Sequence, residues 1–502
     1  MSDIGQPGAG PAPNRHLIMA TVTLASAIYS INLTVVAISL PQMQGGFSAT
    51  RDQISWVVTA FILGQTAMII FSSWLASRVG RRRLYIVSIG AFMATSVMCG
   101  NAGSLEEEVF WRFLQGISGA SLTPLSQTIL IDVYPRDEYP RALGIWSIGS
   151  MVGPVIAPPI GGWITDLYGW PAVFYINVPI GLLALIGAIL WVPRTQTVNT
   201  RRLDVFGFCA LLIGLAALQL MMNRGARLDW LDSTEIVVEL MVFAIFIYLF
   251  VVQITTSRNP FLPPRLFRTP NLGFGLCMNF ANGLIAFLPL VMLPLMLRNV
   301  QGYPVELIGL LLAPRAIGVM ASSLVAGRLF AYVDARLLSA LGLGCIAVSH
   351  WVMGQWTLDV TTWDVVWTGM LQGLGSGMLW ICLNYLTFAF VQPRERSDAV
   401  PLLYLSFNLA VSVGVAGAIT LWTIGAQRAY AALVEAVSPY NRLLHSDLVP
   451  PGWDLRLPGG AAGIDAEIGR QSAMIGFADA QIVIALIALA IIPALYLLRR
   501  PR

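Results

Sequence analysis

Lysine is missing from this chain, so all thirty basic residues are arginine. Charged side chains are scarce, 11% of 502 residues against 56% hydrophobic ones, and histidine occurs three times. A mean hydropathy of +0.72 leaves too little polar surface to clothe a soluble 54.5 kDa protein. The five cysteines (Cys99, Cys209, Cys277, Cys345 and Cys382) form no CxxC pair. They read as small hydrophobes, and no metal site is expected. There is no Walker A loop, HExxH, GxSxG or convincing dinucleotide fingerprint, which argues against ATP hydrolysis, a cofactor and an enzyme. The net charge of +4 comes without a clustered basic surface, so nucleic acid is not an expected partner.

What the chain has instead is apolar runs of membrane-spanning length. Crossing ~30 Å of hydrocarbon takes about 20 apolar residues, and each crossing must satisfy its own backbone hydrogen bonds as a helix. Fourteen stretches qualify, near 17–41, 54–77, 84–101, 109–133, 141–165, 172–192, 204–222, 236–254, 272–297, 305–326, 336–355, 364–390, 399–427 and 474–498. The first follows Arg15 and His16, is too long for a signal-peptide core and has no cleavage site, so it reads as an uncleaved helix. With the N-terminus inside, twenty arginines fall on the inner side and eight outside, which places both termini in the cytoplasm. The expected fold is an all-α polytopic membrane protein.

Weak internal similarity divides the chain. Leu75/Leu329, Val79/Val333, Arg82/Arg336 and Leu84/Leu338 coincide at one offset, and Leu114-Gln115-Gly116 resembles Leu371-Gln372-Gly373. The division is a disordered N-terminus (1–14), a six-helix bundle (15–193), two inserted helices (194–258) and a second six-helix bundle (259–502). The second bundle includes an irregular, Pro- and Gly-bearing extracytoplasmic loop at 428–473.

Several motifs carry physical content. The loop residues Ser77, Arg78, Gly80, Arg81 and Arg82 sit just inside the membrane, where they hold orientation and can latch carboxylates or helix C-termini. Asp132, closing span four, is a candidate partner. Gly149, Gly153, Ala157 and Gly161 recur every four residues, with Pro154, Pro158 and Gly162 alongside. They make a smooth face for close helix approach, expected to seal the two halves against each other. Arg112, Arg315 and Asp479 lie within spans, where ionisable groups are costly and mark functional sites. Glu239 and His350 lie nearer span ends and read as interfacial. Phe280, Phe287, Trp380, Tyr385, Tyr404 and Phe407 lie deeper and are candidates for lining a substrate cavity.

Together these motifs resemble the major facilitator superfamily, in particular its fourteen-span drug:proton antiporter branch of the EmrB/QacA type. The loop motif GxLaDrxGrr resembles Ser73–Arg82. The motif RxxqGxga matches Arg112, Gln115 and Gly116, and GxxxGPxxGPxxGG matches Gly149–Gly162 with Ala157 in one Gly place. Further matches are Trp170, Phe174 and Ile176–Gly181, then Leu203-Asp204 with Gly207, Gly302-Tyr303, and Pro314-Arg315 with Gly318. The resemblance implies the major facilitator fold, two six-helix bundles plus two central helices, rocking about a midplane cavity. It also implies secondary efflux of hydrophobic or amphipathic small molecules, proton coupling, and a bacterial inner membrane. A membrane-fusion adaptor and an outer-membrane channel are the partners it suggests, beside lipid. Three departures stand out: Asn32 replaces the usual span-one Asp, Ser77 replaces the loop Asp, and Phe407 stands where related proteins often have Arg. Asn32, Arg112, Gln115, Arg315 and Asp479 are therefore the candidate cavity or coupling residues. Losing the Asp fits equally an exporter of an endogenous lipid, siderophore or metabolite without ordinary coupling. A transporter-like sensor or scaffold is the remaining alternative.

Overall fold

The computed structural model describes residues 14–498 except 136–137, 195–202, 259, 263, 270, 330–331, 393–394, 438–452 and 454–458. The expected disordered terminus at 1–13, and most of the expected outer loop, lie outside the described residues. The chain is built of helices, and no strand occurs among the described residues. The first half runs α1 (Arg15–Gly46), α2 (Arg51–Val79), α3 (Arg81–Gly100), α4 (Leu105–Gly119), α5 (Leu122–Val133), α6 (Tyr139–Tyr168), α7 (Ala172–Tyr175) and α8 (Asn177–Leu190). Then come α9 (Val205–Arg224) and α10 (Thr234–Thr256). The second half runs α11 (Leu272–Ala286), α12 (Leu288–Asn299), α13 (Val305–Leu329), α14 (Ala335–Met353), α15 (Thr362–Phe388), α16 (Arg396–Glu435) and α17 (Gly460–Ile491). Among the described residues eleven helices are long and apolar enough to cross a membrane, or twelve counting α2, which bends by 51°. This is a multi-pass membrane protein.

Two sequence expectations change. Span 109–133 is broken between α4 and α5 at Ala120–Ser121. The 428–473 loop is partly helical, because α16 continues to Glu435 and α17 already begins at Gly460. Stretches such as Tyr430-Ala431-Ala432-Leu433-Val434-Glu435 are strong helix formers, and their helicity outweighs the neighbouring Pro/Gly signals. At ~1.5 Å per residue, α16 with its 40 residues is about twice as long as a bilayer core is thick.

Pseudo-equivalence of the halves is visible in how their helices cross. A Cβ on Gly116 of α4 would lie 2.1 Å from the Phe61 carbonyl oxygen of α2. In the second half a Cβ on Gly373 of α15 would lie 1.9 Å from the Arg315 carbonyl oxygen of α13. Gly64 and Gly318 complete the two crossings at the same offset that relates Leu75 to Leu329. Backbones touch there because neither side has a side chain, which is how small residues drive helix association where burial in lipid supplies no force.

The Gly149/Gly153/Gly161 face is not the seal between halves. It lies against α1 of its own half, where Cβ atoms on Gly149 and Gly153 would fall 2.0 Å from Thr23 Cγ2 and 2.4 Å from the Ser30 carbonyl carbon. Among the described residues a Cβ on Gly162 would meet nothing within 4 Å. The side chains of Pro154, Ala157 and Pro158 are outside the described set. Contact between the halves is made by a different part of α6, where a Cβ on Gly144 would come 2.9 Å from the Ser323 carbonyl oxygen of α13. A helix presents several faces, and periodicity alone does not say which neighbour takes which.

α9 packs against α10, α2 and α16, so the inserted pair sits beside the seam of the two halves. Asp204 knits this pair together. It caps α9 by accepting from Gly207 N (2.9 Å), and it also accepts from Gln253 Nε2 (2.9 Å) of α10 and Phe261 N (3.2 Å) beyond it.

Candidate functional site: a central cavity flanked by two buried arginines

The Arg-bearing turn between α2 and α3 fixes one end of the first half. Gly80 adopts φ +95°, a region open to glycine, and lets α3 start directly where α2 stops. Arg81 forms an ion pair with Asp132 at the end of α5, and Arg82 donates to the Ile189 carbonyl in the last turn of α8. The Arg78 guanidinium lies 5.2 Å from the Trp74 ring centroid, while the Ser77 hydroxyl donates to its own helix at Trp74 O (2.7 Å). Tyr134 reaches the Arg15 carbonyl (3.2 Å), bringing the start of α1 to this same end, the Arg-loop face.

On that face the halves are closed upon one another. Gln127 of α5 donates from Nε2 to Asn384 Oδ1 of α15 (2.9 Å), both side chains buried, and Gly144 of α6 approaches Ser323 of α13 near the same ends of those helices. A cavity of about 140 Å³ lies between the halves, with Ser147 and Ser323 in its lining. One wall is aromatic: Phe287, Trp380, Tyr404 and Phe407 line it, with the Trp380 ring 5.0 Å from Phe407 and 5.9 Å from Tyr404. Neither Phe280 nor Tyr385 lines it. Among the described residues Arg315 is the one charged side chain in the lining, and no carboxylate is present there. The hydroxyls of Thr123, Ser323 and Ser376 and Oδ1 of Asn282 reach it without hydrogen-bond partners.

Two buried arginines each sit on a glutamine, Arg315 in the cavity lining and Arg112 outside it. Arg112 Nη1 donates to Asn32 Oδ1 (2.8 Å) and Gln115 Oε1 (2.6 Å), and Nε donates to Val57 O (3.2 Å). Its guanidinium also covers the Phe61 ring at 4.3 Å. Arg315 Nε donates to Gln372 Oε1 (2.7 Å) and Nη2 to the Ala286 carbonyl (2.6 Å). Gln115 and Gln372 are equivalent in the two halves, but the cations reach them from different helices. Arg315 occupies the place that Phe61 holds in the first half. Neither arginine forms an ion pair among the described residues.

Asn32, Arg112 and Gln115 thus form one cluster, and Arg315 a second that opens on the cavity. Asp479 joins neither. It is exposed on α17, with Oδ2 near Gly425 of α16. Its depth read six residues into a span, whereas the helix begins fourteen residues earlier and turns this side chain outward. His350 is fully buried rather than interfacial, its Nδ1 2.5 Å from Gln481 Oε1 of α17. Glu239 pairs with Arg224 (3.7 Å), which lies over Trp56.

Glu108 is a buried carboxylate that hydropathy does not single out. Its side chain is completely buried and, among the described residues, neither carboxylate oxygen has a nitrogen or oxygen partner. As third of three consecutive glutamates it resembles ordinary N-terminal helix charge. The available signal was its spacing of four from Arg112, which puts both on one helix face.

A closed bundle of apolar helices in two pseudo-equivalent halves, meeting around a polar-tipped aromatic cavity, defines a membrane transporter rather than an enzyme. Residues 22–415 match the Major Facilitator Superfamily, and the chain belongs to that superfamily. It is 31% identical over 436 residues to multidrug export protein EmrB of Escherichia coli K12, covering 86% of this chain and 85% of that one. It is 28% identical over 498 residues to fatty acid resistance protein FarB of Neisseria gonorrhoeae, covering 98% of each. The human organic anion transporter MFSD10 (TETRAN) shares the fold at a TM-score of 0.59 and 12% identity, with 95% of this chain and 100% of that one covered.

Proposed function

We propose that this chain is a secondary exporter of hydrophobic and amphipathic small molecules, working by alternating access in a bacterial inner membrane with fourteen crossings. The arginine asymmetry puts the Arg-loop face and both termini in the cytoplasm. With that face inside, the Gln127–Asn384 and Gly144–Ser323 contacts close the cavity toward the cytoplasm, as in an outward-facing state. EmrB is named for multidrug export, which supports the direction of transport.

The observation that carries the cargo class is the lining itself. An aromatic wall accepts an apolar body, and partnerless hydroxyls and an amide offer a polar end hydrogen bonds. Arg315, held by two neutral oxygens and no carboxylate, supplies an uncompensated positive charge. Amphipathic anions fit this cavity better than cations do, and the name of FarB, for fatty acid resistance, is in keeping with such a cargo. The proposal therefore joins the drug-export and the endogenous-lipid readings, with a negatively charged head as the common chemistry.

The ends of α16 and α17 run past the apolar zone on the outer side and are tied by Tyr430 to Asp465. In a double-membraned cell this pair is the surface we assign to a membrane-fusion adaptor leading to an outer-membrane channel.

Flux in proteoliposomes tests the cargo. The anionic dye 1-anilinonaphthalene-8-sulfonate, whose sulfonate cannot cross as a neutral acid, should be carried in preference to ethidium. Arg315→Gln should lower anion transport about ten-fold, the loss expected for one charge-assisted contact of about 1.5 kcal/mol. Equal transport of ethidium, or an unchanged anion rate in Arg315→Gln, would refute it.

A further inference from the structure

Glu108 and Arg112 are two buried, opposite charges one helical turn apart that do not touch. The guanidinium spends its donors on neutral oxygens of Asn32, Gln115 and Val57. Among the described residues the carboxyl group has no nitrogen or oxygen partner, only the Cys99 thiol beside it. An ionised carboxylate left so in the interior carries a cost of several kcal/mol. A guanidinium within reach on the same helix face would draw it in. The observed geometry is the one that a neutral acid takes.

We propose that Glu108 is the proton-binding residue that drives transport, and that it pairs with Arg112 when its proton leaves. This rests on the export reading above. The proton arrives from water at the outer end of α4, where Ser104 caps the helix and the exposed Glu106 and Glu107 directly precede Glu108 in the first turn. When Glu108 gives the proton up, its carboxylate takes the guanidinium, and Arg112 must release Asn32 on α1 or Gln115 on α4. Protonation returns the guanidinium to Asn32. Arg112 thus has two sets of partners, and the proton chooses between them. Because one set includes a residue of α1, which packs along α6 and α8, proton loading is felt across the first half.

The charged and titratable groups around the pair are few. α3 contributes Cys99, whose thiol lies beside Glu108 and donates to Gln115 Oε1 at 3.8 Å. α1 contributes Tyr29, facing Arg112. α4 itself contributes Glu107. α2 and α7 present Val57, Phe61 and Phe174, which do not titrate. No second carboxylate shares the buried cluster among the described residues. One proton per cycle is the resulting stoichiometry.

Two measurements on the full chain test this. Infrared difference spectroscopy of the purified transporter, titrated with pH, should show a buried carboxyl C=O band that disappears in Glu108→Gln. This reading needs no cargo, so it stands or falls apart from the export proposal. In proteoliposomes with the membrane potential clamped, a one-unit pH step should drive about ten-fold accumulation of 1-anilinonaphthalene-8-sulfonate, the limit for one proton per anion. Glu108→Gln should abolish the accumulation, and Asn32→Asp in that background should restore it by returning a carboxylate to the same guanidinium. If Glu108→Gln does not fold, Glu108→Asp serves, with a shifted band midpoint expected. A band that survives in Glu108→Gln, or the absence of any titrating band in the parent, overturns the proposal. So does a Glu108→Gln protein that still responds to the pH step. A parent with the band but no flux of either dye would overturn the cargo reading alone.

Discussion

A hydrogen bond joins buried amide side chains across the closed end, from Gln127 Nε2 to Asn384 Oδ1. Replacing Gln127 with Leu keeps the volume nearly constant and removes the donor, leaving Asn384 Oδ1 buried without this partner while Nδ2 still donates to Trp380 O (2.9 Å). The net loss for such a bond is about 0.5–1.5 kcal/mol, and about 0.6 kcal/mol is the average between membrane helices. Opening this end puts water within reach of both amides, so the bond favours the closed state by about that amount. At about 1 kcal/mol, Gln127→Leu should raise the open-to-closed ratio roughly five-fold. The ratio can be read from spin-label distances between cysteines placed at Arg83 and Leu337, at the start of α3 and α14. Exposed Cys209 and Cys277 must first be replaced, because they would take label themselves. Gln127→Leu/Asn384→Leu should move part of the way back toward the parent, because Asn384 Oδ1 is then no longer left buried without its donor. Unchanged distances in the single variant, or a double variant more open than either single, would refute the view that this pair holds the cytoplasmic end shut.

Gly153→Leu should abolish folded yield, since even a Cβ would fall 2.4 Å from the Ser30 backbone, while Gly162→Ala, with nothing within 4 Å, should leave the detergent melting midpoint unchanged or slightly higher. Both are measured by size-exclusion after heating. Arg81→Asp and Asp132→Arg should each lower transport and thermal stability, and the double reversal should recover both, whereas a merely topogenic Arg81 would give no recovery.

The sequence specifies what local physics can specify. Apolar run length located the helices, because a membrane crossing demands self-satisfied backbone and says so in every residue of the run. Repetition at constant offset points to two related halves, and Arg112 and Arg315 stand out by being charged among apolar neighbours. Where expectation and structure part, more than one helix is involved. The glycine ladder of α6 was legible, but α1 is its neighbour rather than the opposite half. Helices α16 and α17 outrun their apolar stretches because propensity continues after hydropathy ends. Asp479 looked buried from its depth and is turned outward by its helical phase.

The sequence by itself determined that lipid is the solvent, how many apolar segments the chain offers, and which residues are anomalous in them, since these depend on each residue's own transfer free energy. Only the tertiary structure decided who meets whom: Arg112 with Asn32 and Gln115, Arg315 with Gln372 and the cavity, and Glu108 with the Cys99 thiol rather than a cation. Those pairings depend on crossing points and rotational phase of helices far apart in the chain, and a one-dimensional pattern carries neither.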